Sequence, residues 1–301
     1  MITPSYLRPG DTIGIIAPAR HIAENEISGF LELVVSWGLK YKTSKHVFGK
    51  YFQYSGTDRE RAYDFQQMLD DPEIKALICV RGGYGSIRIL RYIDFSSMQK
   101  SPKWLVGFSD ITVLHSYINK FTGIESLHAL MPLNYKSGES DMAVDSLRTA
   151  LFGRRLSYMV TSNTFNRNGL VKAELIGGNL SLLYSMNGTN FFPDMKNKIL
   201  FIEDVDEYMY HIDRMMQNLL HSGVFGRIKG LIVGSFTDIK DNDIPFGMNI
   251  YQIIRSTVEQ FDFPVCFDFP AGHISSNMTL IFGREVQLNV REEGAEVEFS
   301  G

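Results

Sequence analysis

Short apolar runs alternate with amphipathic segments along the first half of the chain, and this alternation limits the fold more than any other feature. Residues 11–17 (DTIGIIA) and 74–80 (IKALICV) are apolar runs of strand length, whereas residues 24–37 carry apolar side chains at helical spacing. Thr57 and Glu60 form a T-x-x-E capping box, which predicts the start of a further helix. Strands and helices that alternate in this way predict a mostly parallel, doubly wound sheet with helices on both faces.

The second half of the chain returns to this alternation after a polar stretch and then changes character. Residues 151–169 are rich in Asn, Ser and Thr, and we interpret them as a linker or crossover. Residues 279–290 and 295–300 alternate in period two on either side of a REEG turn, which predicts an antiparallel hairpin. We therefore expect two α/β domains, residues 1–150 and residues 170–301, of which the second carries the hairpin.

Composition and charge exclude several classes of protein. The 301 residues include 30 Lys and Arg against 34 Asp and Glu, a net charge of −4, and 44% of the residues are apolar. We expect no nucleic-acid partner, because binding to phosphates requires a basic surface. The two cysteines, Cys79 and Cys266, are too few for a disulfide framework. With no signal peptide and no apolar stretch of about 18 residues, the expected protein is cytoplasmic and binds no membrane.

Ser109 is the first candidate for a chemical role. It follows the apolar run 104–108 (WLVGF) and precedes a predicted helix. A serine on a sharp strand-to-helix turn is exposed at the carboxyl edge of a sheet, where the helix offers N–H groups, as in a nucleophile elbow. The G-x-S-x-G pattern lacks its last glycine, since Ile111 stands there. An N-cap role for Ser109 or Asp110 fits the same residues, so both interpretations are open at this point.

A glycine-rich segment and two polar residues complete the set of candidates. Residues 81–85 (RGGYG) follow a predicted strand and form either a tight structural turn or a source of N–H donors for an oxyanion hole. His273 lies on a loop after PVCFDFPAG, where both a base and a solvated side chain fit. Glu203 ends the apolar run KILFIE and is either a solvated cap or a site residue. We expect no metal site, because no H-E-x-x-H, C-x-x-C or paired-histidine spacing occurs.

Six segments in the right order resemble the LD-carboxypeptidases, which comprise the muramoyltetrapeptide carboxypeptidases and the related microcin-immunity peptidases. The segments are LRPGDTIGIIAPA, GTDRERAYDFQQMLDDPEIKALICVRGGYGSIRIL, GFSDIT, LIGGNLSLL, FIEDVDEYMYHIDRMM and FPAGHISSNMTLIFG. The resemblance implies a cytoplasmic serine peptidase of two α/β domains, with a Ser-Glu-His triad at the domain interface and no cofactor or metal. It also implies a homodimer and a murein tetrapeptide substrate, from which terminal D-alanine is released during cell-wall recycling.

The resemblance also assigns roles to residues of this chain. Ser109 in GFSD matches the nucleophile of the family, Glu203 in FIED matches the orienting acid, and His273 in PAGH matches the base. The N–H groups of Gly83 and Asp110 would form the oxyanion hole. These assignments are implied by the resemblance and do not follow from composition or spacing.

Several alternatives stand beside these assignments. Glu207 lies in the same acidic segment and is a rival for the acid, and we prefer Glu203 because it stands at a strand end. A microcin-immunity type peptidase would use the same triad on peptidyl or aminoacyl nucleotide amides. A catalytically silent α/β module that binds small acidic ligands at its glycine loop would leave Ser109 unlabelled by a serine-directed fluorophosphonate. Arg81 and the aromatic residues near the glycine loop are candidates for contact with the substrate, without an assigned role.

Overall fold

The structure, a computed structural model, describes residues 1–139 and 141–301. In chain order the strands are β1 (Thr12–Ile16), β2 (Lys40–Thr43), β3 (Ile74–Cys79), β4 (Trp104–Gly107), β5 (Ser126–His128), β6 (Ser157–Thr161), β7 (Gly169–Asn179), β8 (Ile199–Val205), β9 (Gly230–Thr237), β10 (Val265–Cys266), β11 (Leu280–Phe282), β12 (Glu285–Arg291) and β13 (Gly294–Phe299). The helices are α1 (Ser28–Ser36), α2 (Asp58–Asp70), α3 (Ser86–Ile89), α4 (Ser96–Lys100), α5 (Thr112–Thr122), α6 (Asp141–Leu151), α7 (Leu180–Met186), α8 (Met209–His221) and α9 (Ile250–Thr257). In this described part of the chain, no helix combines the length and the apolar character that a membrane span requires.

The chain divides into two compact units. The first unit comprises Met1–Arg154 and Ser275–Gly283, and the second comprises Arg155–Ile274 and Arg284–Gly301. The segment Ser275–Gly283 belongs to the first unit because β11 lies within it and pairs with β5. Each unit contains a sheet and helices, so the predicted α/β fold class with two domains is confirmed.

Residues 151–169, which we interpreted as a linker, contain strand β6 and the segments on either side of it. Along β6, Tyr158 and Val160 are buried while the residues on either side of them are exposed. This alternation arises because β6 is an edge strand that pairs with β13 and buries one face only. The stretch is therefore polar because one face of β6 is exposed, and β6 is part of the sheet of the second unit.

The first unit is built on a mostly parallel sheet with strand order β11-β5-β4-β3-β1-β2. Strands β1 to β5 are parallel to their neighbours, and β11 adds to β5 in the antiparallel direction. The predicted capping box begins α2, since Thr57 Oγ1 accepts from the Glu60 N–H at 3.3 Å and the Glu60 carboxylate accepts from the Thr57 N–H at 2.8 Å. Because β3 and β4 are parallel neighbours, residues 81–85 and 108–111 leave the sheet at the same edge.

The second unit has strand order β10-β9-β8-β7-β12-β13-β6. Strands β7 to β10 are parallel, whereas β12, β13 and β6 are antiparallel to their neighbours. The predicted antiparallel hairpin is confirmed for β12 and β13, with Arg291 opposite Gly294 at the turn. It begins later than expected, because Leu280–Phe282 forms β11 in the first unit and the chain turns at Gly283, whose φ is +91°.

Candidate active site

Ser109 lies on a sharp turn between β4 and α5. Its backbone has φ of +63°, a left-handed conformation that costs a non-glycine residue roughly 1–3 kcal/mol. Phe108 before it is extended, and a 3-10 turn over Ser109–Ile111 leads into α5. In the described residues, neither this turn nor α5 has a side-chain N-cap, so the N-cap interpretation of Ser109 receives no support. The strained strand-to-helix turn has the geometry of a nucleophile elbow.

Gly82 of the glycine loop packs directly against Ser109. A Cβ atom on residue 82 would lie 2.9 Å from Ser109 Cβ, 3.0 Å from Ser109 Oγ and 3.3 Å from the Asp110 nitrogen. The loop after β3 and the turn after β4 therefore meet at the carboxyl edge of the first sheet. Sequence reasoning did not single out Gly82, because nothing in the letters RGGYG reveals which glycine faces the neighbouring turn.

We expect Gly82→Ala to fold but to react at least about 10-fold more slowly with a serine-directed fluorophosphonate, because the added methyl group displaces Ser109 and small misplacements of a nucleophile are costly. Labelling rates measured by mass spectrometry of the intact protein test this expectation. Gly226→Ala is the matched control, since the nearest atom to its added Cβ lies 3.8 Å away. Equal labelling rates of Gly82→Ala and the wild type would contradict the expected displacement of Ser109.

Two buried charged residues hold the glycine loop in place. Arg61 on α2 has a fully buried side chain, donates to the Gly85 carbonyl at 3.0 Å and forms an ion pair with Asp58 at 2.6 Å. Asp110 is completely buried, and its Oδ2 accepts from the Ser86 N–H at 2.8 Å. Burial raises the pKa of the Asp110 carboxyl, and the hydrogen bond from Ser86 opposes this effect only in part. Sequence reasoning missed Arg61, although a charged residue on the apolar face of an amphipathic helix is a detectable signal.

The two residues predicted to supply oxyanion donors lie on the two segments that meet at Ser109. Asp110 follows Ser109 in the 3-10 turn, and Gly83 follows Gly82 in the glycine loop. Gly83 has φ of +115°, which a residue with a side chain rarely adopts. The structure thus groups three of the candidates, Ser109, Asp110 and Gly83, together with Gly82 at one edge of the first unit.

Glu203 and His273 meet in the second unit, although 70 residues separate them in the chain. His273 Nδ1 donates to Glu203 Oε2 at 2.7 Å; the Glu203 side chain is completely buried and that of His273 is 20% exposed. Burial lowers the pKa of His273, but the hydrogen bond to Glu203 and the charges of Glu203 and Asp204 outweigh it, so the pKa is raised overall. A carboxylate that accepts from one ring nitrogen fixes the tautomer and the orientation of the imidazole.

Glu203 does not end its strand as we predicted, because β8 continues to Val205. The pairing of β8 with β9 shifts register between Ile202 and Asp204, which places a bulge at Glu203. A bulge changes the local direction of a side chain and is a common feature next to functional sites. The preference for Glu203 as a strand-end residue was therefore based on a wrong boundary, and its contact with His273 is the stronger argument.

Gly272 allows His273 and Glu203 to approach each other. Its φ is +121°, and a Cβ atom on it would clash with Ser235 Oγ and lie 2.8 Å from Glu203 Oε2. A glycine directly before His273 therefore leaves the space that the carboxylate occupies.

The rival acid Glu207 binds other partners. Its carboxylate accepts from Ser181 Oγ at 2.6 Å and from His211 Nδ1. His115 is also engaged elsewhere, because its Nε2 donates to the Gly107 carbonyl at 2.8 Å and burial lowers its pKa to about 4. These two histidines are thus explained by local packing.

Comparisons with known proteins assign both units to the same protein family. The family model of the LD-carboxypeptidase N-terminal domain matches residues 13–129, and that of the C-terminal domain matches residues 172–288. A probable murein peptide carboxypeptidase of Bacillus subtilis is 34% identical over 98% of this chain and 94% of its own length. The microcin C7 self-immunity protein of Escherichia coli is 27% identical over 94% and 92%. The crystal structure of muramoyltetrapeptide carboxypeptidase from Oxalobacter formigenes has a TM-score of 0.89 at 27% identity, covering 96% of this chain and 99% of that one.

Proposed function

The chain belongs to the LD-carboxypeptidase family, and from this premise we propose that it is a serine carboxypeptidase that releases the terminal D-alanine of murein tetrapeptides. The names of the Bacillus and Oxalobacter relatives support this substrate class. The observation that carries the proposal is the hydrogen bond between His273 and Glu203, because a nucleophilic serine needs a base whose orientation is fixed. A cytoplasmic homodimer acting in cell-wall recycling is part of the same proposal.

In the proposed mechanism, Ser109 Oγ attacks the carbonyl carbon of the L,D-amide bond. His273 uses Nδ1 toward Glu203, so we assign Nε2 as the atom that takes the hydroxyl proton of Ser109. Glu203 holds the tautomer and stabilises the imidazolium that forms. The N–H groups of Gly83 and Asp110 stabilise the negative charge that develops on the carbonyl oxygen.

Collapse of the tetrahedral intermediate breaks the C–N bond. The imidazolium of His273 gives its proton to the leaving nitrogen, and D-alanine departs with a neutral amine. Water then attacks the acyl-enzyme while His273 takes its proton, and the second collapse returns the proton to Ser109 Oγ. The products are the tripeptide acid and D-alanine, so one water molecule is consumed for each bond cleaved.

Incubation of the purified protein with a murein tetrapeptide tests this function. Mass spectrometry should show a product that is lighter by one alanine residue, together with free D-alanine, and the corresponding tripeptide should remain intact as the control. Hydrolysis of an aminoacyl nucleotide amide in place of the tetrapeptide would support a microcin-immunity type peptidase. A protein that cleaves neither substrate and resists fluorophosphonate labelling at Ser109 would be a ligand-binding module and would contradict the proposal.

A further inference from the structure

Two arginines of the first unit lie beside the glycine loop. Arg20 crosses Gly83, because a Cβ atom on that glycine would lie 2.5 Å from Arg20 Cδ and 2.9 Å from Arg20 Nε. Arg81 begins the loop, and its Nη1 donates to the His21 carbonyl at 3.2 Å. Within residues 1–139 and 141–301, no carboxylate oxygen lies within 4.0 Å of either guanidinium. Both cations thus lack an ion-pair partner in the described chain.

The charges of these arginines act on each other and on the Ser109 turn. Burial lowers the pKa of Arg81, the charge of Arg20 lowers it further, and Glu26 opposes the shift. The Glu26 carboxylate itself accepts from the Ala23 N–H at 2.6 Å. Arg20 also acts on Asp110, where its charge favours the ionised carboxylate. Arg20 and Arg81 repel each other when no anion is bound. Their combined positive charge therefore stabilises an anion that binds beside them.

The two arginines differ in their access to a ligand. Arg20 is exposed, whereas Arg81 is half-buried and its Nε is a buried donor without an acceptor in the described residues. A guanidinium is a planar fork that binds a carboxylate through two parallel hydrogen bonds. Arg20 is therefore the residue placed to contact a ligand, and Arg81 adds positive charge behind it.

Arg20 and Ser109 lie against neighbouring glycines of the loop. Ser109 Oγ lies 3.0 Å from the Cβ position of Gly82, and Arg20 covers the same position of Gly83. The nucleophile and Arg20 thus lie against two consecutive residues of the loop. In a carboxypeptidase substrate, the terminal carboxylate is likewise one residue beyond the scissile carbonyl.

We propose that Arg20, supported by the charge of Arg81, binds the terminal carboxylate of the substrate and so restricts the enzyme to the last residue of a peptide. This inference rests on the proposed function, because it names the group that a carboxypeptidase distinguishes from an internal peptide bond. It predicts that replacing the terminal carboxylate by a neutral amide removes the interaction with Arg20 and leaves the other contacts intact.

The test compares a murein tetrapeptide that ends in D-alanine with the same peptide that ends in D-alaninamide. For Arg20→Gln, kcat/KM on the free acid should fall about 10- to 100-fold, the usual cost of a charged hydrogen bond, while kcat/KM on the amide stays at the wild-type value. Arg20→Lys should recover only part of the loss, because an ammonium lacks the fork. Arg59→Gln is the matched control, since Arg59 is an exposed arginine of the same unit that lies over the Tyr92 ring.

Calorimetric binding to the Ser109→Ala protein separates this inference from the proposed function. In that background, Arg20→Gln should weaken binding of the free acid at least 10-fold and leave binding of the amide unchanged. Equal losses on both peptides, or no loss on either, would overturn the role of Arg20. A wild-type protein that releases no D-alanine would contradict the proposed function, and the binding comparison would still decide whether Arg20 recognises the carboxylate.

Discussion

Ser109→Ala should lower kcat on the tetrapeptide by about 10⁶-fold, because the members of a catalytic triad act as a unit and no other group replaces the nucleophile. The protein should remain folded, since alanine removes only a hydroxyl group that supports no helix cap in the described residues. The measurement is kcat for D-alanine release, accompanied by the unfolding midpoint in denaturant. Activity within about 100-fold of the wild type would show that Ser109 is not the nucleophile.

Ser109→Gly is the informative companion to this variant. Both substitutions remove the hydroxyl group, but glycine adopts φ of +63° without the penalty that alanine shares with serine. We therefore expect Ser109→Gly to be equally inactive and about 1 kcal/mol more stable to unfolding than Ser109→Ala. Equal stability of the two variants would mean that the turn stores no strain at this position.

Glu203→Gln should lower kcat by about 10⁴-fold, because an amide neither stabilises the imidazolium of His273 nor selects the productive tautomer. Glu207→Gln is the matched control and should cost less than about 10-fold, since Glu207 binds Ser181 and His211. Both variants are measured on the same tetrapeptide. A larger loss for Glu207→Gln would make Glu207 the acid and would leave Ser109 and His273 in their roles.

The pH profile gives a second readout of the same pair. In the proposed mechanism the neutral form of His273 is the base, so kcat/KM should fall as the pH drops through the pKa of His273, which lies above the ordinary 6.5. Glu203→Gln removes the negative charge that raises this pKa and weakens the hydrogen bond to the imidazole. Its residual activity should therefore persist to lower pH than that of the wild type, whereas Glu207→Gln should keep the wild-type profile. If kcat/KM of Glu203→Gln fell at the same acidic pH as that of the wild type, Glu203 would not control the pKa of His273.

The local parts of this protein could be predicted from its sequence because short-range physics decides them. Apolar runs of strand length gave β1 and β3, and the capping box of Thr57 and Glu60 gave the start of α2. The same is true of the Ser109 turn, since a strand that passes directly into a helix leaves few backbone conformations for the residue between them. The resemblance to a family added roles for Ser109, Glu203 and His273, which remain proposals.

The boundaries of the two units depended on pairing between distant strands. Residues 279–290 show one alternating pattern, yet Leu280–Phe282 pairs with β5 in the first unit while β12 pairs with β7 and β13 in the second. Period-two alternation reveals which face of a strand is buried but not which strand lies beside it. For the same reason, the sequence of the polar stretch 151–169 did not reveal that β6 pairs with β13.

The sequence by itself determined that this chain forms α/β units and that Ser109 lies between a strand and a helix, because periodicity, caps and turns act over a few residues. Only the tertiary structure decided which side chains meet. The contact of His273 with Glu203 spans 70 residues, and the positions of Gly82 against Ser109 and of Arg20 across Gly83 depend on the packing of separate loops. Contacts of this kind follow from strand order and from the direction of each backbone, which no local pattern of residues encodes.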